Sequence, residues 1–196
     1  MSDYSVISGV SQTLKNLLTL NITQSSDNQI KNVPIELLSP KEMEEHNEGL
    51  GVSVWLYRAA RMAEMLNEPP ERKQPNQIVR TPLPILLHYL VTPVSNDPLT
   101  RHALLGKVLQ VFNDHSILRG ADLAGVLQGT SEQLRVVLEA LSLEDLSLVW
   151  DALSEPYQLC VSYLVQLVKI DSDLEPVQTT PVVKKDMKYM QILSVV

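Results

Sequence analysis

Residues Asp145 to Ser172 read DLSLVWDALSEPYQLCVSYLVQLVKIDS, and the fold is decided here. Leu143 to Leu153 carries apolar groups at helical spacing, and Pro156 stops it, because proline offers no N–H to a continuing helix. From Tyr157 the period changes to two. Leu159, Val161, Tyr163, Val165 and Leu167 share one parity up to Ile170, which predicts the longest strand of the chain. A short amphipathic helix that passes through a Pro-Tyr junction into an apolar strand calls for a sheet with helices packed against it.

Working outward, the same two periods alternate. Val6, Ile7, Val10, Leu14, Leu17 and Leu18 recur at steps of three and four behind Ser2 and Asp3, predicting a capped amphipathic helix. Val33 to Leu38 reads as a short strand that Pro34 places at an edge or a strand start, and Glu42 to Glu48 as an acidic loop. Leu50 to Met62 alternates as a central strand. EPPERKQPNQ, within Ala63 to Arg80, reads as a long exposed excursion without ladder continuity. Pro82 and Pro84 flank the start of a third strand, Ile85 to Val91. Asp97 then caps a helix with Pro98 at its first position, running from Leu99 to Asn113. Gly120 to Gly129 reads as irregular or a short strand, and Glu132 to Leu141 as a strand. Helices and strands interleave, so the predicted class is α+β (α/β mixed): a mixed, largely antiparallel central sheet flanked by about three helices.

A chain of 196 residues, 44% of them apolar, has enough material for one core, assigned here to residues 1–172. Residues 173–196 are read as a polar, proline-interrupted linker followed by an extended C-terminal arm. The net charge of -7 argues against a nucleic-acid partner, whose phosphates are held by clustered Lys and Arg. MSDYSVISGV has neither the basic opening nor the apolar run of a secretory signal, and the best apolar run, Cys160 to Ile170, is broken by Ser162, Gln166 and Lys169. A cytoplasmic protein without a membrane partner is expected. The single cysteine, Cys160, has no internal disulfide partner and sits among apolar neighbours.

The residues offer little catalytic chemistry. The histidines are His46, His88, His102 and His115, and no pair has the i, i+4 spacing that presents two imidazoles to one metal. Asp114, His115 and Ser116 have the residue types of a hydrolytic triad, yet three successive residues cannot bond in that order, and they read as a helix C-terminus. His88 reads as a satisfied, half-buried strand residue. No GxGxxG or GxxxxGK[ST] loop is present, so no phosphate cradle is predicted. Glu42, Glu44, Glu45 and Glu48 read as solvated, and Cys160 has no basic neighbour to lower its pKa. The expectation is a protein that is not an enzyme and carries no catalytic, metal or cofactor site.

Binding features are better developed. Lys184, Lys185 and Lys188 give the arm a basic start, and Met187, Tyr189, Met190, Ile192 and Leu193 make its end a strand that needs an accepting edge. Arg72 and Lys73, with Arg58, Arg61 and Arg80, form a second candidate contact region, for which solvated charge is the simpler reading.

Four stretches carry a family resemblance: LGVSVWLYRAARM from Leu50, LPILLHYLVTP from Leu83, LLGKVLQVFNDHSIL from Leu104, and LVWDALSEPYQLCVSYLV running on to IDS. In order and spacing, from Tyr4 to Ser172, they resemble the N-terminal domain of the cap proteins of contractile injection systems, the tail terminators of phage-tail-like particles. The resemblance implies a structural protein that forms a ring, by family analogy a hexamer. That ring would bind the last layer of sheath and inner-tube proteins and end their polymerisation, assembled in the cytoplasm and carried on a particle that is released. The arm is expected to complete the sheet of a terminal sheath subunit. The alternatives are another structural or adaptor component of the same particle, at baseplate or collar, and, less favoured, a small hydrolase.

Overall fold

Val6, Val10, Leu14, Leu17 and Leu18 fall on one stripe of helix α1 (Val6–Leu18), and all are buried. Asp3 does not cap the helix itself. It makes a turn just before it, accepting from the backbone N–H and the hydroxyl of Ser5. A wider helical turn, Thr19–Thr23, prolongs α1 and delivers Ile22 to the core. The computed structural model describes residues 3–46, 49–63, 72–74 and 77–178.

Six strands form the main sheet: β1 (Ile35–Glu36), β2 (Gly51–Arg61), β5 (Leu83–Val94), β6 (Ile117–Arg119), β7 (Gln133–Glu139) and β8 (Val161–Ile170). Their spatial order is β1-β2-β5-β8-β7-β6. Only β1 and β2 run parallel; every other pair is antiparallel, so the sheet is mixed and largely antiparallel. Because side chains alternate across a strand, neighbours on β5 serve different cores. Tyr89 packs with α1 and α3 (Pro98–Asp114), while Leu90 packs with Trp150 of α4 (Leu143–Leu153) and Cys160. The first core is large. The second is small, with α4 and α2 (Pro40–His46) on that face.

α2 corrects the expected acidic loop and raises the helix count among the described residues from about three to four. The signal lay in Ser39-Pro40-Lys41-Glu42, a capping box with proline at the first helical position. The Glu42 carboxylate accepts from the Ser39 N–H at 2.8 Å and from its hydroxyl at 2.7 Å, while the Ser39 Oγ accepts from the Glu42 N–H at 3.3 Å. These bonds hold the Glu42 carboxyl below its ordinary value. Met43 of α2 is fully buried, and a Cβ at Gly51 would overlap its Cε and meet the Pro34 carbonyl oxygen at 3.1 Å. Glycine is therefore needed where α2 crosses the start of β2.

β6 was not expected, and the other strands differ from expectation in three places. The excursion does form a ladder: β3 (Arg72–Gln74) pairs with β4 (Gln77–Ile78), and β9 (Val177–Gln178), from the segment read as linker, pairs with β4. Second, β5 is longer than Ile85 to Val91 and is the longest strand, with Pro84 and Pro93 inside it. Val52 donates its N–H to the Pro34 carbonyl on β1's side, so the Val52–Pro93 pair needs no N–H from Pro93. Third, β8 begins at Val161 instead of Tyr157, and its pairing with β5 shifts between Ile85↔Val168 and Leu87↔Val165. The extra residue breaks the predicted parity. Tyr163 and Val165 are core residues as expected, but Val168 takes the next core position.

The remaining elements follow their local signals. Two short 3-10 turns, Gly120–Asp122 and Gly125–Leu127, occupy the irregular region. They are tied to α1 by the Ala124 N–H, which donates to Thr13 Oγ1 at 2.9 Å. Ser142 caps α4, and Ser154, in the left-handed region at φ 57°, ends it. Asp97 caps α3, accepting from the Thr100 N–H at 2.8 Å and from the Thr100 hydroxyl at 2.6 Å. The Thr100 hydroxyl and N–H hold the Asp97 carboxyl below its ordinary value. A depressed folded value means that the cap's contribution is complete above the unfolded carboxylate value of 3.8 and is lost as pH falls through the lower folded one. Asp97→Asn should keep the cap and remove this acid-limb dependence, while Asp97→Ala should lose both; thermal unfolding between neutral and acid pH reads the difference.

Candidate functional site

Strands β2, β5, β7 and β8 bring Tyr57, His88, Glu139 and Ser162 together on the α4 face of the sheet. The Glu139 carboxylate is their shared acceptor. Ser162 Oγ donates to Glu139 Oε2 at 2.8 Å, and His88 Nδ1 lies 3.1 Å from the same oxygen. Tyr57 reaches Ser162 Oγ at 3.1 Å and Glu139 Oε2 at 3.5 Å. Burial raises the Tyr57 pKa, and its hydrogen bond with Ser162 opposes that rise. His88 is only 6% exposed, more buried than expected. A hydrolytic relay needs the serine hydroxyl on the histidine and the histidine on the carboxylate. Here the serine is bonded to the carboxylate directly, which makes the cluster a strand-to-strand clamp. Glu139→Ala strips His88 and Ser162 of their acceptor and should cost about 1–3 kcal/mol in urea unfolding. A loss under about 0.5 kcal/mol would mean that water satisfies both groups.

The other residues singled out from the sequence scatter. The His115 N–H closes the end of α3 by donating to the Val111 carbonyl, in keeping with the helix-end reading of Asp114 to Ser116. Cys160 is buried; burial pushes its thiol up, while the Trp150 indole N–H, 3.4 Å from Sγ, acts in the opposite direction. Among the described residues no group of three or more His, Cys, Asp or Glu could hold a metal, and no helix is long and apolar enough to cross a membrane. Lys184, Lys185, Met187, Lys188, Tyr189, Met190, Ile192 and Leu193 lie outside the described residues. Arg72 and Lys73 lie on β3, while Arg58 and Arg61 are exposed on β2.

Among the open grooves of the described surface, two are lined mainly by apolar side chains. One, of about 780 Å³, runs between the end of α3 and strands β6 and β7, lined by Leu109, Phe112, Ile117, Leu138 and Tyr163 among others. The second, of about 540 Å³, lies between β2 and α4. Trp55, Tyr57 and Arg58 face Leu141, Leu148 and Val149 across it. Neither was legible in the sequence, because each is assembled from elements far apart in the chain.

The fold is an α+β domain with apolar grooves at its surface and a sheet covered unequally on its two faces. The chain belongs to the Pvc16 N-terminal domain family, whose model matches residues 9–184. No curated protein sequence matches it. Its fold is similar to that of the PVC sheath/tube terminator, from an extracellular contractile injection system in its extended state, with a TM-score of 0.66 at 17% identity. That match covers 100% of this chain and 67% of the other. It is also similar to the tube terminating cap of the anti-feeding prophage, with a TM-score of 0.61 at 14% identity, covering 92% of this chain and 60% of that one. The chain thus spans about two-thirds and three-fifths of the lengths of these two proteins.

Proposed function

We propose that this chain is a structural, non-catalytic cap domain of a contractile injection system, ending the growth of the sheath and tube. The observation that carries the reading is the family match across residues 9–184, supported by likeness in fold to two terminators over nearly the whole chain. In the finer form of the proposal, the chain assembles in the cytoplasm as a ring, by family analogy of six copies. The ring seats on the final sheath and tube layer and leaves the cell on the finished particle. The basic, apolar arm, Lys184 to Leu193, grips the terminal sheath subunit by strand addition.

The test is electron microscopy of purified particles carrying a tagged, gold-labelled copy of this chain. Label only at the end distal to the baseplate is the expected result. Label at the baseplate or along the whole sheath would overturn the assignment. For the arm, truncation after Asp173 should leave a folded protein that no longer cosediments with sheath; unchanged cosedimentation would remove the arm from the proposal.

A further inference from the structure

Strand β1 covers little of β2. The two pair only at Ile35↔Val52 and Glu36↔Ser53, whereas β2 continues to Arg61. Among the described residues no strand pairs with the outer side of β2 beyond that point. The direction of each backbone group follows from two bonds. The Val52 N–H donates to Pro34 on the outer side, and the Met62 N–H donates to Pro84 on the inner side. Alternation from each end, through the register shift between Leu56 and Arg58, turns the N–H and C=O of Leu56, Ala59 and Arg61 outward. Such an edge is a template for another strand.

Natural edges are commonly blunted by charge and by bulges, and β2 has both. It also has something that a blunted edge does not need: the open groove of about 540 Å³ beside it, to which β2 contributes Trp55, Tyr57 and Arg58 and β5 contributes nothing. Trp55 and Tyr57 are half-buried on the groove's floor, and Leu148 on its wall is 63% exposed. Alternate side chains of a strand laid along the edge would enter this groove. The charge on the edge is one-signed. Arg58 and Arg61 are exposed and join no ion pair among the described residues, and Asp145, across the groove, is engaged by the Ser142 hydroxyl at 2.6 Å. The chain's own arm, with Lys184, Lys185 and Lys188, would bring like charge to it.

We infer that the outer edge of β2 from Leu56 to Arg61 is a docking edge for an extended segment of a partner protein that alternates acidic and apolar residues. The segment adds as a further strand outside β2, its apolar side chains enter the Trp55–Leu148 groove beside Arg58, and its carboxylates, on the other face of the sheet, meet Arg61. This surface is independent of the cap reading, and its test uses the purified chain alone.

The probe is a short fluorescent peptide alternating Glu with Ile, followed by anisotropy and by amide exchange at Leu56, Ala59 and Arg61. Binding with slowed exchange at those three amides is expected. Replacing Glu by Lys in the peptide should weaken binding at least about tenfold, since like charges across an interface oppose association. Ala59→Pro removes an outward N–H without touching the β5 ladder, and it should abolish binding while leaving thermal unfolding nearly unchanged. Should that variant misfold, a peptide N-methylated at its edge-facing amides serves instead and should not bind. No binding, equal or tighter binding of the Lys peptide, or binding indifferent to both backbone blocks would each overturn the inference.

Discussion

Trp150→Ala should lower the unfolding free energy by about 3–5 kcal/mol, the range for emptying a buried aromatic site. Trp150 is 1% exposed, the largest side chain in the small core on the α4 face. Its ring stands edge-on to Tyr157 at 6.1 Å. Leu143 and Leu148 of the same helix point to solvent, and Leu146, Val149 and Leu153 are only partly buried. α4 is therefore held to the sheet chiefly through one residue, and its loss should release the helix before the rest of the protein unfolds. Cys160 reports this directly. Burial in the folded chain keeps its thiol protonated above the ordinary range, so opening the face lowers its pKa and speeds alkylation at mildly alkaline pH. Urea unfolding together with a thiol-labelling rate checks both. A loss below about 1 kcal/mol with unchanged labelling would show that the partly buried Leu146, Val149 and Leu153 hold α4 on their own.

Phe112→Ala should cost a similar amount, about 3–5 kcal/mol, but through global unfolding. Phe112 is 1% exposed in the large core, and its ring meets Tyr163 edge to face at 4.6 Å. It also lines the groove between α3 and β7, so truncation opens a path from solvent to Tyr163. Burial pushes the Tyr163 phenol up to about 12. Because its folded value lies above the unfolded value near 10, the stability this represents is complete below about pH 10 and is lost as pH rises towards 12. In Phe112→Ala the phenol should ionise closer to 10 in an ultraviolet titration, and the alkaline loss should shrink. Phe112→Leu, which keeps most of the volume, should retain most of both properties. An alanine variant with unaltered Tyr163 titration would place the source of its burial elsewhere, in the sheet.

Much of this fold was legible before any tertiary contact was known. α1 and α4 lie where their apolar stripes predict them, and Asp97-Pro98 starts α3 as read. The misses are informative. The glutamates of α2 suggest solvated charge and mask the helix, although Ser39 and Glu42 spell out a reciprocal cap. The proline-rich composition around β3 and β4 speaks against a ladder that Arg72–Gln74 and Gln77–Ile78 nevertheless form. The bulge in β8 shifted the core from the expected parity to Val168, and no periodicity within the strand marks it. Of the surface, the sequence shows Arg58 and Arg61 as charges, but not that they sit on a strand edge beside an aromatic groove.

Local pattern alone thus settles α1, α3, α4 and the long strands, the Asp97 cap of α3, the stop of α4 before Pro156, and the family resemblance. Periodicity and capping act within a few residues, so a linear reading captures them. The tertiary structure alone decided the strand order, the unequal cover of the two sheet faces, the clamp of Tyr57, His88, Glu139 and Ser162, and the open edge of β2. Each of these depends on which distant residues come to lie side by side, and that choice is made by packing the whole chain at once, leaving no mark on the local pattern of any one segment.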